Sequence, residues 1–349
     1  MRRHLAAIVS GLLLVCGVAH AAEGGAWSDK LKLGGDFRYR LETISDDSKT
    51  DADGDTYTQM RHRIRTRLYL DAAVSDALSF RLSLATGGTT DPVSTNQTLD
   101  GDFANKGVAI DMAYADVHPA SLKGLSILLG KMKTPFVAPG KSELLWDGDL
   151  TPEGLALRFS SPVGSAKLFA NAGYLWVDEI KDDSDVMLMG GQAGLSAKLG
   201  TLDLTAGLGY FTYTEVELYN IMQVMAQIGT KLGTMPASLF VDFASNGEAD
   251  DDNTGMVFGM GLGKKKAPGS WDLMAYYQSL EANAVNPAFC GSDFGGGGTD
   301  ASGVVVSAGL QVMKDADLGL TYFLNKRGIG EGGAETDYGR MQLDFAFKF

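Results

Sequence analysis

The stretch Gln59–Asp71, QMRHRIRTRLYLD, sets Arg61, Arg63, Arg65 and Arg67 in alternation with His62, Ile64, Thr66 and Leu68. A period of two places the two sets on opposite faces of an extended strand. Same-face neighbours in a strand lie roughly 6.5–7 Å apart. Two guanidinium groups at that spacing repel by roughly 0.6 kcal/mol in water and roughly 2.4 kcal/mol at an effective dielectric near 20. Such a ladder faces water, carboxylates or both, while the other face needs an apolar neighbour. The solvated side of a soluble sheet and the wet wall of a membrane barrel both satisfy this condition.

The same alternation runs through the chain. Leu31, Leu33, Phe37, Tyr39 and Leu41 oppose Lys32, Asp36, Arg38, Arg40 and Glu42. Phe80, Leu82 and Leu84 oppose Arg81, and Leu155, Leu157 and Phe159 oppose Arg158. Met222, Val224, Ala226 and Ile228 oppose Gln223 and Gln227. Met341, Leu343, Phe345, Phe347 and Phe349 oppose Arg340, Gln342, Asp344 and Lys348. Extending the pattern predicts about sixteen strands, each near the ~9–11 residues that cross a bilayer obliquely.

Connection lengths decide between the two settings. After odd-numbered strands they are mostly long and acidic, at about 43–58, 87–107, 133–153, 177–186, 213–218, 245–253, 281–302 and 326–337. After even-numbered strands they are short, at about 75–78, 118–124, 160–164, 200–201, 233–236, 263–269 and 314–316. A soluble sandwich has no reason to segregate loops in this way. An all-β, antiparallel transmembrane barrel has one, with long external loops and short periplasmic turns. No Pro falls in the central part of a proposed strand, as closed pairing requires.

The start of the chain agrees. Arg2 and Arg3 precede the apolar run Leu5–Val18, and Ala19-His20-Ala21 closes it. This predicts a cleaved signal peptide over residues 1–21 and one barrel domain over 22–349. With only a short lead before the first strand, no plug domain is expected. The chain carries a formal net charge of −13, which argues against nucleic acid as a partner and makes the arginine ladder a local feature. Cys290 is the only cysteine beyond the leader, so no internal disulfide is expected.

The long third connection contains Glu143, Asp147, Asp149 and Glu153, with Leu144, Leu145 and Trp146 among them. An apolar cluster in a long loop seldom stays in water, so the loop is expected to fold into the lumen and narrow it. Its acids then face a basic wall of Arg38, Arg40, Arg61, Arg63, Arg65, Arg67, Arg81 and Arg158. Opposed charges across a wet gap make a transverse field that orients water and polar solutes and tunes ion preference. Alternatively the acids only neutralise the ladder and brace the wall. The density of fixed wall charge leans toward anion attraction, against the acidic loops and net charge.

Trp27–Arg40 (WSDKLKLGGDFRYR), Arg61–Arg67, Asp91–Leu99 (DPVSTNQTL), Gly130–Phe136 (GKMKTPF), Trp146–Gly154 (WDGDLTPEG) and the terminal Phe resemble the putative porins of Gram-negative bacteria. The resemblance runs over nearly the whole mature chain and is strongest in residues 27–175. It implies a diffusion channel in the outer membrane and, by analogy with sixteen-stranded porins, a homotrimer. It supplies no substrate beyond small hydrophilic solutes and ions. A structural barrel, or a sheath around a partner protein, is the alternative.

Other motifs are weak. Asp51-Ala52-Asp53-Gly54-Asp55 lacks the glycine placement and closing Glu of a calcium loop. With Asp46, Asp47, Asp182, Asp183, Asp185 and Asp250–Asp252 it could hold divalent ions against lipopolysaccharide, with low specificity. Gly261–Lys266 lacks the spacing of a phosphate loop. His62 is expected to face outward and His118 to start a turn, so no catalytic arrangement, resident metal or cofactor is expected.

Overall fold

A computed structural model describes residues 27–215, 218–330 and 332–349; the leader expected at residues 1–21 lies outside them. β1 (Leu31–Thr50) and β2 (Thr56–Ser75), of 20 residues each, form the longest hairpin. There follow β3 (Leu78–Thr86), a two-residue strand β4 (Gln97–Thr98), β5 (Val108–Val117), β6 (Leu125–Lys131), β7 (Glu153–Val163) and β8 (Ala166–Asp178). Next come β9 (Val186–Leu199), β10 (Leu202–Tyr213), β11 (Asn220–Leu232), β12 (Met235–Asn246) and β13 (Thr254–Gly263). The last are β14 (Trp271–Leu280), β15 (Ala301–Met313), β16 (Ala316–Arg327) and β17 (Thr336–Lys348). Leaving β4 aside, sixteen antiparallel strands each pair with their chain neighbours, and β1 also pairs with β17. The sheet is therefore a closed barrel. The carboxy-terminal residue completes the seam, with Phe349 N–H donating to Gly35 O (3.1 Å) and Gly35 N–H to Phe349 O (3.0 Å).

Loop lengths follow the expected alternation only in part, since the turns at 118–124 and 264–270 are as long as the opposite-end connections at 179–185 and 247–253. The first long connection, expected at about 43–58, is mostly strand, because β1 and β2 stay in register from Leu31↔Ala72 to Asp46↔Tyr57 and pair again at Thr50↔Thr56. Only residues 51–55 form the turn, L1. Asp51 closes it by accepting from the N–H of Asp53 (3.0 Å) and of Asp55 (3.1 Å), an Asx turn rather than a cation loop. The other connections at that end are L2 (87–107), L3 (132–152), L4 (179–185), L5 (214–219), L6 (247–253), L7 (281–300) and L8 (328–335), of which L2, L3 and L7 are the long ones. β3 is short and leaves part of the β2 edge without a neighbouring stave. L2 covers it through β4, with Arg63↔Thr98 and Ile64↔Gln97, which removes a backbone edge that would otherwise lack partners.

Sidedness follows the pleat. Leu208, Met222, Leu239 and Phe258 are half or more exposed, while Gln192, Gln223 and Asp242 in the same sheet are buried. Large apolar residues outside and polar residues inside invert the usual arrangement of a soluble protein. Trp176 and Tyr210 project outward near the loop ends of their strands, and Phe80, Phe159, Trp271 and Phe347 near the turn ends. Two aromatic girdles separated by aliphatic residues mark the boundaries of a lipid-facing band. His62 is exposed on this outer face beside Tyr39, whose hydroxyl lies 2.6 Å from His62 Nδ1.

This sidedness sets the cost of a charge. Val224→Arg, near the middle of β11, is expected to lower folding stability in lipid vesicles by about 2–4 kcal/mol. Gln223→Arg, one residue away and inward, should not carry that lipid penalty. Denaturant titration of both variants checks this; equal losses would contradict the assignment of faces.

Candidate functional site

The inward face at the β17–β1–β2 seam concentrates charge. In register, Arg38 lies opposite Arg65, Arg40 opposite Arg63, Asp36 opposite Arg67 and Glu42 opposite Arg61. On the other side Arg40 faces Asp344 and Glu42 faces Gln342. Like charges directly opposite destabilise a sheet, so the two Arg–Arg pairs require acceptors, and each finds them. Arg40 donates from Nε and Nη2 to the two Asp344 carboxylate oxygens at 2.7 and 2.8 Å. Asp36 accepts from Arg65 (3.0 Å) and Arg67 (2.8 Å). Glu42, fully buried, accepts from Arg61, from Arg340 (2.5 Å) and from Gln342 (3.1 Å), with Arg63 at 3.8 Å. Two-pronged guanidinium–carboxylate contacts of this kind fix side-chain direction as well as charge.

Three loops meet this wall from within. L3 is seated by its backbone on inward glutamines: Val137 N–H donates to Gln192 Oε1 (2.8 Å), and Gly140 N–H to Gln227 Oε1 (2.8 Å). Gly140 has φ 57° and lies against the Phe240 ring, where a side chain would collide. Leu144, Leu145, Trp146 and Leu150 then bury with Phe211, Phe240, Ile221 and Leu280 from the barrel wall and Val285 and Cys290 from L7. Phe136 stacks on Trp146 at 5.6 Å, and both meet Phe211 edge-on at 4.8 and 5.1 Å. L7 is stitched to L3 by Asp147 N–H to Phe289 O (2.7 Å) and Gly291 N–H to Glu143 O (2.9 Å). Ser292 ties both to L2, donating from N to Asp147 (2.8 Å) and from Oγ to Val93 O (3.1 Å).

Among the four acids expected to face the ladder, Asp149 alone reaches it, at 3.7 Å from Arg65 and 3.5 Å from Arg67. The other three are corrected. Asp147 is spent on the N–H groups of Asp149 (2.7 Å) and Ser292, and Glu143 accepts from Gly148 N–H (3.0 Å). Both are held by the hydrogen-bond demands of the L3–L7 junction. Glu153 begins β7 and pairs with Lys131 (3.0 Å) across the β6–β7 ladder. Arg81 joins Asp71 through Nε (2.5 Å) and Nη2 (2.6 Å) lower on the wall. Arg158 is on β7, in a separate recess.

The acid that sequence reasoning missed is Asp293 of L7. It lies 3.3 Å from Arg40 and 2.6 Å from Arg340 and accepts from Gln342 Nε2 (2.9 Å). Asn96 of L2 was missed as well and accepts from Arg38 (2.6 Å). Asp36, Glu42, Arg340 and Asp344 were legible as inward residues of their strands, but only the seam register brings them together. Arg38, Arg40, Arg61, Arg63, Arg65, Arg67 and Arg340 share Asp36, Glu42, Asp149, Asp293 and Asp344, so the cluster keeps a positive excess.

The loop acids differ in proton affinity. Confinement would raise Asp293, but Arg340 and Arg40 outweigh it and hold this carboxyl well below the usual range. Asp147 is pushed up to about 6, chiefly by burial and further by Asp149, against the hydrogen bonds it accepts. Glu143 is raised by its confinement among the loops and by Asp147 and Asp293, although its side chain still meets solvent. A recess of about 320 Å³ opens on the loop side of the wall, lined by Arg61, Arg63, Arg327, Arg340, Asp91 and Asp293 among others. A larger one of about 590 Å³ lies under L3 toward the turn ends.

A closed barrel with a lipid-facing exterior and a charged, loop-narrowed interior defines an outer-membrane channel. The sequence model of the family described as "Putative porin" matches residues 48–231 and 218–349, and the chain belongs to that family. No curated protein matches the chain in sequence. Similar solved structures include OprB of Pseudomonas putida, with a TM-score of 0.63 and 12% identity over 92% of this chain and 95% of that one. The outer-membrane channel DcaP of Acinetobacter baumannii superposes with a TM-score of 0.58 and 15% identity, covering 91% of this chain and 97% of DcaP. OmpF of Salmonella typhi, solved with daunomycin, gives a TM-score of 0.57 and 11% identity over 93% and 99% of the two chains. At these identities the likeness is one of fold.

The proton affinities yield a pH dependence. Raised carboxyls lose charge at higher pH than ordinary ones, so the loops become less negative as pH falls through about 6, while Asp293 stays ionised. The reversal potential across a salt gradient should move toward anions over that range. Asp147→Asn keeps an acceptor oxygen and removes the charge, and should reduce the movement. An identical pH response in this variant would contradict the assignment.

Proposed function

We propose that the chain is a passive, water-filled porin for small hydrophilic solutes and ions. The arginine wall of β1, β2 and β17 is braced by carboxylates of its own strands and of the loops, and solutes pass alongside this charged lining. The observation that carries this reading is the charged seam wall, where two loop acids join the strand acids Asp36, Glu42 and Asp344 against an excess of arginines. The strands supply Arg40, Arg65, Arg67 and Arg340, and the loops supply Asp149 and Asp293, 2.6 to 3.7 Å away. A rigid wall and loops pinned to it keep the field directed without reorganisation as solutes pass. The acids also brace the wall, so the two roles expected from the sequence coexist. The excess of guanidinium groups favours anions.

The same reading includes an export leader over residues 1–21, outer-membrane lipid and lipopolysaccharide as surroundings, and a homotrimer like the sixteen-stranded porins it resembles. A sheath around a partner protein fits less well, because L2, L3 and L7 already meet inside the barrel. The reading assigns no catalytic role, in keeping with a channel family.

In planar bilayers the purified protein should give stepwise, salt-dependent conductance; silence from folded protein would count against a porin. Arg63→Ala or Arg65→Ala removes one positive charge, and at about 7 Å in water that is worth roughly threefold in relative ion occupancy. Anion occupancy falls and cation occupancy rises by that factor, so the anion-to-cation permeability ratio should fall by up to about sevenfold. An unchanged reversal potential would remove the wall from selectivity.

A further inference from the structure

Every ladder arginine has a carboxylate within ion-pair range, but among the described residues three cations that share one recess do not. Lys133 at the start of L3, Arg158 on β7 and Lys167 on β8 line the recess of about 590 Å³ beneath L3. Among the described residues none of the three has a carboxylate within 4.0 Å, and all three are exposed. No Asp or Glu lines the recess. Asp116 touches its rim through Ser126 (2.9 Å) and lies 3.3 Å from His118; Asp203 at the turn end is turned to Lys198 at 3.8 Å.

We propose that this recess is a subsite for small organic anions bearing a carboxylate or phosphate, held between Arg158 and Lys167 with Lys133 above. The proposal rests on the porin reading and deepens it. Register fixes the cradle. Arg158 lies between Ser126 and Asn171 on neighbouring strands, and Lys167 lies opposite Ser196, which lies opposite Thr205. Ser196 and Thr205 hydrogen-bond each other at 3.0 Å, which uses one hydroxyl proton and leaves the other for a ligand. Asn171 Nδ2 makes one 3.4 Å contact with Gln192 Oε1, and its second N–H remains.

Three features select an organic oxyanion over a bare halide. The volume exceeds that of a single ion many times. The planar guanidinium fork of Arg158 matches two oxygens of one carboxylate or phosphate, which a halide does not offer. Leu128, Met132 and Phe169 make part of the lining apolar and suit a carbon body. Uncompensated positive charge between low-dielectric walls raises the local concentration of anions.

The test uses the full-length protein in planar bilayers in potassium chloride, with citrate or glycerol 3-phosphate added on the side facing the turns. Each probe tests one anion chemistry, and at least one should reduce single-channel current in a saturable way at millimolar concentration. The Arg158→Gln/Lys167→Gln double variant should raise the half-blocking concentration about tenfold, since two unit charges are lost. Lys133→Gln, in a loop rather than a strand, should raise it about threefold and provides the readout should the double variant not fold. Block by citrate alone assigns the site to carboxylates, and block by glycerol 3-phosphate alone to phosphates. Open channels whose current ignores both probes, or block unchanged in the variants, overturn the subsite while leaving the porin reading intact; a folded protein that never conducts overturns the porin reading itself.

Discussion

The backbone cannot leave an N–H or C=O unpaired where water is absent, and closure of β17 onto β1 is how this chain meets that demand. The pairing from Asp36↔Lys348 to Asp46↔Tyr338, finished by Phe349 on Gly35, removes the last edges of the sheet. Everything else depends on that seam. It gives the barrel an inside and an outside. It brings Arg40 against Asp344, more than three hundred residues apart in the chain. It also fixes the pleat, so that a slip of one residue would turn the arginines into lipid and the leucines into the lumen.

Inside the barrel, two kinds of chemistry divide the space. The seam wall is ionic, with carboxylates placed so that paired arginines do not face each other uncompensated. The arc from β8 to β14 is apolar where L3 and L7 pack on it, around Phe211, Phe240 and Leu280. That packing lets loops rather than strands carry acids to the wall. Burial of L3 and L7 on one arc leaves Asp149 and Asp293 reaching toward the other. The hydrophobic effect thus positions the electrostatics, by holding the loops whose acids reach the wall.

Much of this was legible in the sequence because period two reports directly on strand faces. The alternation of Arg61–Arg67 and of Met341–Phe349, together with the segregation of loop length, leads to a sixteen-stranded barrel with an inward ladder. The first loop was misjudged because residues 43–50 and 56–58 are mostly polar yet stay in strand, in register as far as Asp46↔Tyr57 and paired again at Thr50↔Thr56, and polarity on both faces reads as a loop. Leu144, Leu145 and Trp146 signalled that L3 is buried, but not which wall it meets. Asp293 carried no signal: it stands in a glycine-rich stretch without periodicity and meets Arg40 across a separation of 253 residues. Among the L3 acids, the choice of Asp149 over Asp147 depends on the N–H groups of L7, which no local pattern encodes.

The central claim is that guanidinium groups line a wet interior while their immediate neighbours face lipid. Cysteine accessibility tests it most directly. Cys290 is buried and its thiol is pushed up to about 12 by that burial, so it contributes little background reaction with a charged, membrane-impermeant thiol reagent. In reconstituted protein, Arg65→Cys should react readily and change the single-channel current as it does so, while Leu68→Cys, three residues along β2, should stay protected by lipid. Rapid labelling of Leu68→Cys with an inert Arg65→Cys would contradict the account.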